Sequence, residues 1–216
     1  MKIGRSDRST RLTENRTGAW ASSSQDYLHL AEMLYENSAK YATSVDGNCS
    51  PYALAGVPVL FSAIRALLIE ANSGMFGQCS NSKLLKELGN SANEIPILKK
   101  NYDLPASLVS RLEILYETRN EIIHPSHMPT GTSHGTPSYL IELRNQAILQ
   151  SSGDDNCDYS WIAQLESHML FREVYSNVEQ VAKIVLKKHH STESYLEEHL
   201  LTYKRYREID LNYSFQ

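Results

Sequence analysis

Apolar residues recur along this chain at spacings of three and four, and no stretch alternates apolar with polar as a half-buried strand does, so the pattern predicts an all-helical protein. Ser23 followed by Asp26 resembles an N-terminal capping box. Tyr27, Leu30, Leu34 and Tyr41 then share a helical spacing, which gives a helix over about 24–43, closed by Asp46-Gly47-Asn48. Ser50-Pro51 opens a second helix in which Leu60, Ile64, Leu67 and Ala71 mark the core face before Asn72-Ser73-Gly74, with Pro58 as a place where it can kink. Ser82 to Leu88 is predicted as a short helix, and residues 89–104, rich in Asn, Gly, Ser and Pro, as a connection over the surface.

Pro105 suits a first helical turn, and Leu108, Leu112, Leu115 and Ile122 form a stripe that runs to Pro125, because a proline disfavours helical geometry in the residue before it. Residues 125–137 hold three prolines, two glycines and two histidines and predict a loop beside that helix end. A shorter helix is expected over 138–149. After the Ser151-Ser152-Gly153-Asp154-Asp155 break, Trp161, Leu165, Met169, Val174, Val178, Val181 and Val185 predict one long helix to about 188. A final, more polar helix over 192–208 carries Tyr195, Tyr203 and Tyr206 among Lys204, Arg205 and Arg207, a pattern that suits base stacking or, with more weight, a docking face. The expected architecture is a bundle of four main helices with extra short ones. It comprises a disordered basic tail over 1–22, a helical domain over 23–190, and a C-terminal helix and tail over 191–216 for docking or dimerisation.

Composition narrows the function classes. With 216 residues and 41% hydrophobic content, one well-filled core is the default. A net charge of -4 argues against nonspecific nucleic-acid binding over the whole surface, so any RNA site must be local. Cys49, Cys79 and Cys157 are odd in number and widely spaced, which fits a reduced, cytoplasmic setting. The longest apolar run, Val57 to Ile69, is interrupted by Ser62 and Arg65 and falls short of a bilayer, so no membrane association is expected.

One stretch carries chemistry: Arg119-Asn120-Glu121-Ile122-Ile123-His124-Pro125. Arg119 sits in line with the apolar stripe, and its neighbours one turn away, Leu115, Tyr116, Ile122 and Ile123, cannot answer its charge. It therefore needs a carboxylate from another helix, for which Glu70 is the candidate, or a cleft and an anionic ligand, for which its planar fork suits phosphate. Asn120 lies one turn before His124 and can orient its ring, and an imidazole at a helix C-terminus suits general acid–base work. The alternative for His124 is that it completes a solvent-facing charged side with Glu113, Glu117 and Glu121. On an ideal helix Arg119 and His124 lie about 140 degrees apart, so they converge only if the last turn loosens or a second copy completes the site. His124, His127 and His134 fit no common zinc spacing, and His189-His190 reads as a solvated cationic terminus.

An Arg-polar-x-x-x-His pattern ending the third core helix of a small bundle resembles the HEPN superfamily, read here as Arg119, Asn120 and His124. The resemblance implies a homodimeric, metal-independent endoribonuclease of a toxin-antitoxin or phage-defence system, with no cofactor, RNA as substrate and a cognate antitoxin or defence-system protein as partner. It implies His124 as the acid–base group, Arg119 as the stabiliser of the phosphorane charge and Asn120 as the positioning group, with Tyr116, Glu70 and Glu121 as supporting residues. Ser126 stands where the subgroup paired with nucleotidyltransferase antitoxins carries a tyrosine, which speaks against that form of control. The other class of reading is a noncatalytic helical interaction or sensor module in which Arg119 and His124 are structural.

Overall fold

The computed structural model describes residues 23–45, 48–74, 79–124, 138–149 and 161–189. Among them are eight helices and no strand: α1 Ser23–Ser44, α2 Tyr52–Asn72, α3 Ser82–Asn90, α4 Ile95–Asn101, α5 Ala106–Ile123, α6 Ser138–Asn145, α7 Trp161–Leu165 and α8 His168–His189. The protein is all-α, and α1, α2, α5 and α8 are its long helices.

The most apolar helix organises the rest. α2 is long and apolar enough by composition to cross a bilayer, with a mean hydropathy of 1.9, yet 56% of that window is buried inside the protein. It packs against α1, α3, α5 and α8. It passes through Pro58 without interruption, and Ser62 Oγ donates to the Pro58 carbonyl at 2.9 Å. Gly56 faces α8 so closely that a Cβ there would lie 2.0 Å from the tip of the Phe171 ring, so the missing side chain is what lets these two helices meet.

α1 runs antiparallel to α2, fixed at one end by Ser24 on Glu70 and at the other by an edge contact between the Tyr41 and Tyr52 rings. The start of α1 is held across the bundle: the Glu70 carboxylate accepts from the Ser24 N–H at 2.8 Å and from its hydroxyl at 2.5 Å, doing for two helix-terminal groups what a local cap would do.

Three expectations need correction. Residues 89–104 are not a bare connection, because α4 forms within them. Pro96 sits in its first turn, Asn93 Oδ1 accepts from the Ile95 N–H, and Ile95, Ile97 and Leu98 bury their side chains. The helix expected over 161–188 is two. The Ser50 N–H takes the Glu166 carbonyl at 2.8 Å, drawing the backbone aside, and Ser167 Oγ accepts from the Leu170 N–H as the cap of α8. The short helix expected over 138–149 stops at Asn145. Ala147 then adopts a positive φ of 54°.

The α1–α2 connection is threaded onto the start of α8. Asn48 Nδ2 donates to Ser167 Oγ at 2.8 Å, and Asn48 Oδ1 and its carbonyl accept from the Met169 and His168 N–H groups. Deeper in, Ser38 Oγ donates to Ser50 Oγ at 2.6 Å and lies 2.9 Å from His168 Nδ1, all three residues being buried. Aromatic packing continues the seam, with Tyr35 against His168, Phe171 and Tyr175.

α8 ends at the opposite end of the bundle, where His189 is buried and not the solvated cation its sequence suggests. Tyr102 Oη accepts from Asn72 Nδ2 at 3.0 Å and meets His189 Nε2 at 3.0 Å. Burial, and then the adjacent Lys188 ammonium, hold His189 below the ordinary histidine range. Because its folded value is depressed, the unfolded chain binds the extra proton first, and the stability this neutral ring contributes is present above the ordinary value and lost as pH falls toward the folded one. Urea midpoints are accordingly expected to fall on acidification below the ordinary histidine value of about 6.5, and His189→Gln, which keeps an acceptor but cannot titrate, is expected to flatten part of that fall. An unchanged slope in the variant would show that other groups carry it.

Candidate functional site

α5 runs antiparallel to α8, with Arg111 Nε on Glu173 at 2.6 Å. Its last turn therefore lies toward the end of the bundle where α2 and α8 begin. Leu108, Leu112 and Leu115 bury its inner row, and Arg119 continues that row where the helix runs out.

Tyr116 is fixed first. Its ring packs edge-on against Phe61, with centroids 5.4 Å apart, and its hydroxyl donates to the Ala92 carbonyl between α3 and α4. The phenol is raised above its usual value by burial and then by the Glu94 carboxylate, while the Arg119 and Arg65 charges pull the other way.

On this platform rests Arg119. Its guanidinium carbon lies 5.3 Å from the Tyr116 ring centroid, and Nη1 donates to Asn120 Oδ1 at 3.0 Å. Its Nε is buried and has no hydrogen-bond partner. Nearby acid is already engaged: Glu94 accepts from Arg65 Nη1 at 2.5 Å, and Arg65 also donates to the Ser91 and Leu88 carbonyls. Glu70, the other candidate partner, accepts from Ser24. Among the described residues no carboxylate pairs with Arg119.

Asn120 does not orient the histidine ring. Its side chain serves Arg119, and only its carbonyl meets His124, whose N–H donates to it at 2.7 Å. His124 caps the helix at φ −131° and ψ 72° and is exposed. Arg119 thus faces the bundle, His124 faces solvent, and the divergence inferred from helix geometry persists within one subunit. His127 and His134 lie outside the described residues, and no group of three His, Cys, Asp or Glu among those described is placed to hold a metal ion.

Glu121 belongs to another contact. It is buried, and together with Glu117 it faces Tyr139 of α6, whose phenol is pushed up to about 12 by burial first and by these carboxylates second. The sequence reading missed Phe61, Ala92 and the Arg65–Glu94 pair. Only the helical spacing of Phe61 from Arg65 offered a signal, and it named no partner.

A separate shallow cleft of about 480 Å³ lies toward the start of α5, lined by Ser107, Ser110, Arg111, Glu142, Asn177 and Gln180 among others. Its arginine is engaged by Glu173 at 2.6 Å and Glu142 at 3.9 Å, so it offers no free charge. No family model, curated protein or solved structure matches this chain.

Proposed function

We propose that this chain is a metal-independent endoribonuclease of the HEPN type, cutting single-stranded RNA as a cytoplasmic homodimer in a toxin or phage-defence system. The observation that carries the reading is the state of Arg119. Its guanidinium is clamped between an aromatic face and an amide, has a buried donor left over, and meets no carboxylate among the described residues. A half-buried cation with a buried donor left over favours an anion, and its planar fork suits a phosphodiester.

In this mechanism the ribose 2′-hydroxyl attacks phosphorus, the bond to the 5′-oxygen breaks, and the products are a 2′,3′-cyclic phosphate and a 5′-hydroxyl. His124, exposed at the helix end, takes the nucleophile's proton or supplies the leaving group's. Arg119 holds the charge that develops on the nonbridging oxygens, and Asn120 holds Arg119. Two copies meeting at these helix ends would set His124 of one opposite Arg119 of the other, and DNA, lacking the 2′-hydroxyl, would not be cut.

The test is incubation of the purified chain with mixed RNA in EDTA beside its His124→Ala variant. Cleavage is expected in the first and a loss of about a hundredfold to ten-thousandfold in the second. Absent cleavage by the unmodified chain, or undiminished cleavage by the variant, overturns the proposal. A noncatalytic interaction or sensor module is the second reading. It is favoured by the row of exposed apolar side chains on α1, Tyr27, Leu30, Met33 and Tyr41.

A further inference from the structure

Among the described residues, positive charge gathers at one end of the bundle. Asn72, the last residue of α2, holds that end together. Its carbonyl accepts from the Asn81 N–H ahead of α3 at 2.8 Å, and its amide donates to Tyr102 Oη just past α4, which in turn meets His189 at the end of α8. Three helices therefore bring their lysines to one place. They are Lys83 and Lys86 from the exposed side of α3, Lys99 and Lys100 from the last turn of α4, and Lys187 and Lys188 from the last turn of α8. The basic tail expected over 1–22 and the tyrosine-bearing helix expected over 192–208 lie outside the described residues.

Two of the six lysines are anchored. Lys100 Nζ lies 3.1 Å from the Glu87 carboxylate of α3, and Lys188 Nζ donates to the Asn101 carbonyl at 2.5 Å above the Tyr102 ring, so both ammoniums bridge neighbouring helices. The other four are exposed and pair with no carboxylate among the described residues. Acid is sparse at this end. Glu87 is spent on Lys100 and Glu70 on Ser24, which leaves Asp103 and, on α1, Asp26 as the exposed carboxylates nearby.

Helix electrostatics accounts for part of this arrangement. A cation is favoured at a helix C-terminus, which explains the pairs on α4 and α8. It does not explain α3, whose first turn holds Lys83 and no acid, so that the helix dipole opposes the charge. Six like charges gathered on a chain of net charge -4 repel one another, and an anion whose charges repeat along its length relieves several of them at once. Lysine suits such a partner, because an ammonium is a point charge that meets phosphate oxygens from any direction and carries no base preference.

We propose that this lysine-lined end binds the sugar–phosphate backbone of single-stranded RNA, holding a flank of the substrate away from the scissile bond. The choice of RNA over another polyanion rests on the ribonuclease reading of Arg119 and His124. α4 passes into α5 through Asp103-Leu104-Pro105, and the rise of α5 from Ala106 to Arg119 puts about 20 Å between the patch and the guanidinium. At about 3.4 Å per stacked nucleotide roughly six nucleotides cover that distance, so an RNA of about 20 nucleotides touches both places and a trinucleotide only one.

The test uses the His124→Ala chain, which keeps the patch, with a fluorescent, unstructured RNA of that longer length and anisotropy read across a salt series. Replacing Lys83, Lys99 and Lys187 together by glutamine is expected to weaken binding at least about tenfold in about 0.1 M salt. The slope of log affinity on log salt is expected to become shallower by about two, the loss of three single-strand phosphate contacts. All three positions are exposed, so thermal unfolding is expected to stay unchanged, and Lys83→Gln alone is expected to give about a third of the slope change. With His124 restored, the triple variant is expected to raise KM for the long RNA and leave kcat and trinucleotide cleavage as they were. An unaltered slope overturns the proposal whether or not the unmodified chain cuts RNA. Binding through these lysines by a chain that does not cut overturns the ribonuclease reading and supports this one. Lysine-dependent binding to vesicles of anionic phospholipid, with no binding of the RNA, overturns the proposal and assigns the patch to a membrane surface.

Discussion

Exchanging Arg119 for lysine is expected to lower RNA cleavage at least about a hundredfold, although the positive charge is kept. The reason is geometric. The guanidinium lies over the Tyr116 ring and spends one amino group on Asn120, and its remaining donors share the plane of its fork. An ammonium has no plane to stack and no fork to present, so it supplies charge without direction. Single-turnover cleavage of one defined single-stranded RNA, with thermal unfolding measured in parallel, checks this. Arg119 is half-buried at a helix end, so the variant should remain folded, and the loss should appear in the rate of the chemical step. Retention of activity within a few-fold by lysine would reduce Arg119 to a point charge and remove the role given to Asn120.

Gly56→Ala is the substitution with the largest expected cost in stability, about 3 kcal/mol by the usual scale of core overpacking. The added methyl would lie 2.0 Å from the tip of the Phe171 ring. That ring has nowhere to go: Phe171 is fully buried and packed edge-on against Tyr35 at 5.3 Å. Either the ring leaves its rotamer or α2 and α8 move apart. Denaturant unfolding of Gly56→Ala, Phe171→Leu and the double variant checks this. The double variant should be less destabilised than the two single effects added together, since the smaller side chain vacates the space the methyl needs. Strict additivity would mean that the two helices relax around the methyl at little cost.

The long helices were legible because each buries one face, and that face leaves a period in the sequence. α1, α2 and α5 lie within a residue or two of where Tyr27, Leu60 and Leu108 with their partners put them. α4 was not, because a single turn or two among Asn, Ser and Pro gives no period, and only tertiary burial of Ile97 and Leu98 makes it a helix. The break at Glu166 was hidden for the converse reason: Leu165 and Met169 keep their spacing across it, while the bond that opens it comes from Ser50.

The site divides the same way. That Arg119 lies among apolar neighbours could be read from Leu115, Tyr116 and Ile122. Where its hydrogen bonds go could not, since the carboxylates of Glu70 and Glu94 were claimed by Ser24 and Arg65 from other helices. Local sequence carries the direction of a helix face, but not the competition for a charge among elements far apart in the chain.

The central place of α2 also has a consequence for how the chain is made. Its chief partner besides α1 is α8, which is completed only at His189, so at ordinary translation rates of about 5–20 residues per second the emerging α2 waits roughly six to twenty seconds for that cover. During that interval the most apolar segment of the molecule has α1, and later α3 and α5, against it but lacks α8, and a nascent-chain chaperone has a well-defined client in Tyr52–Asn72.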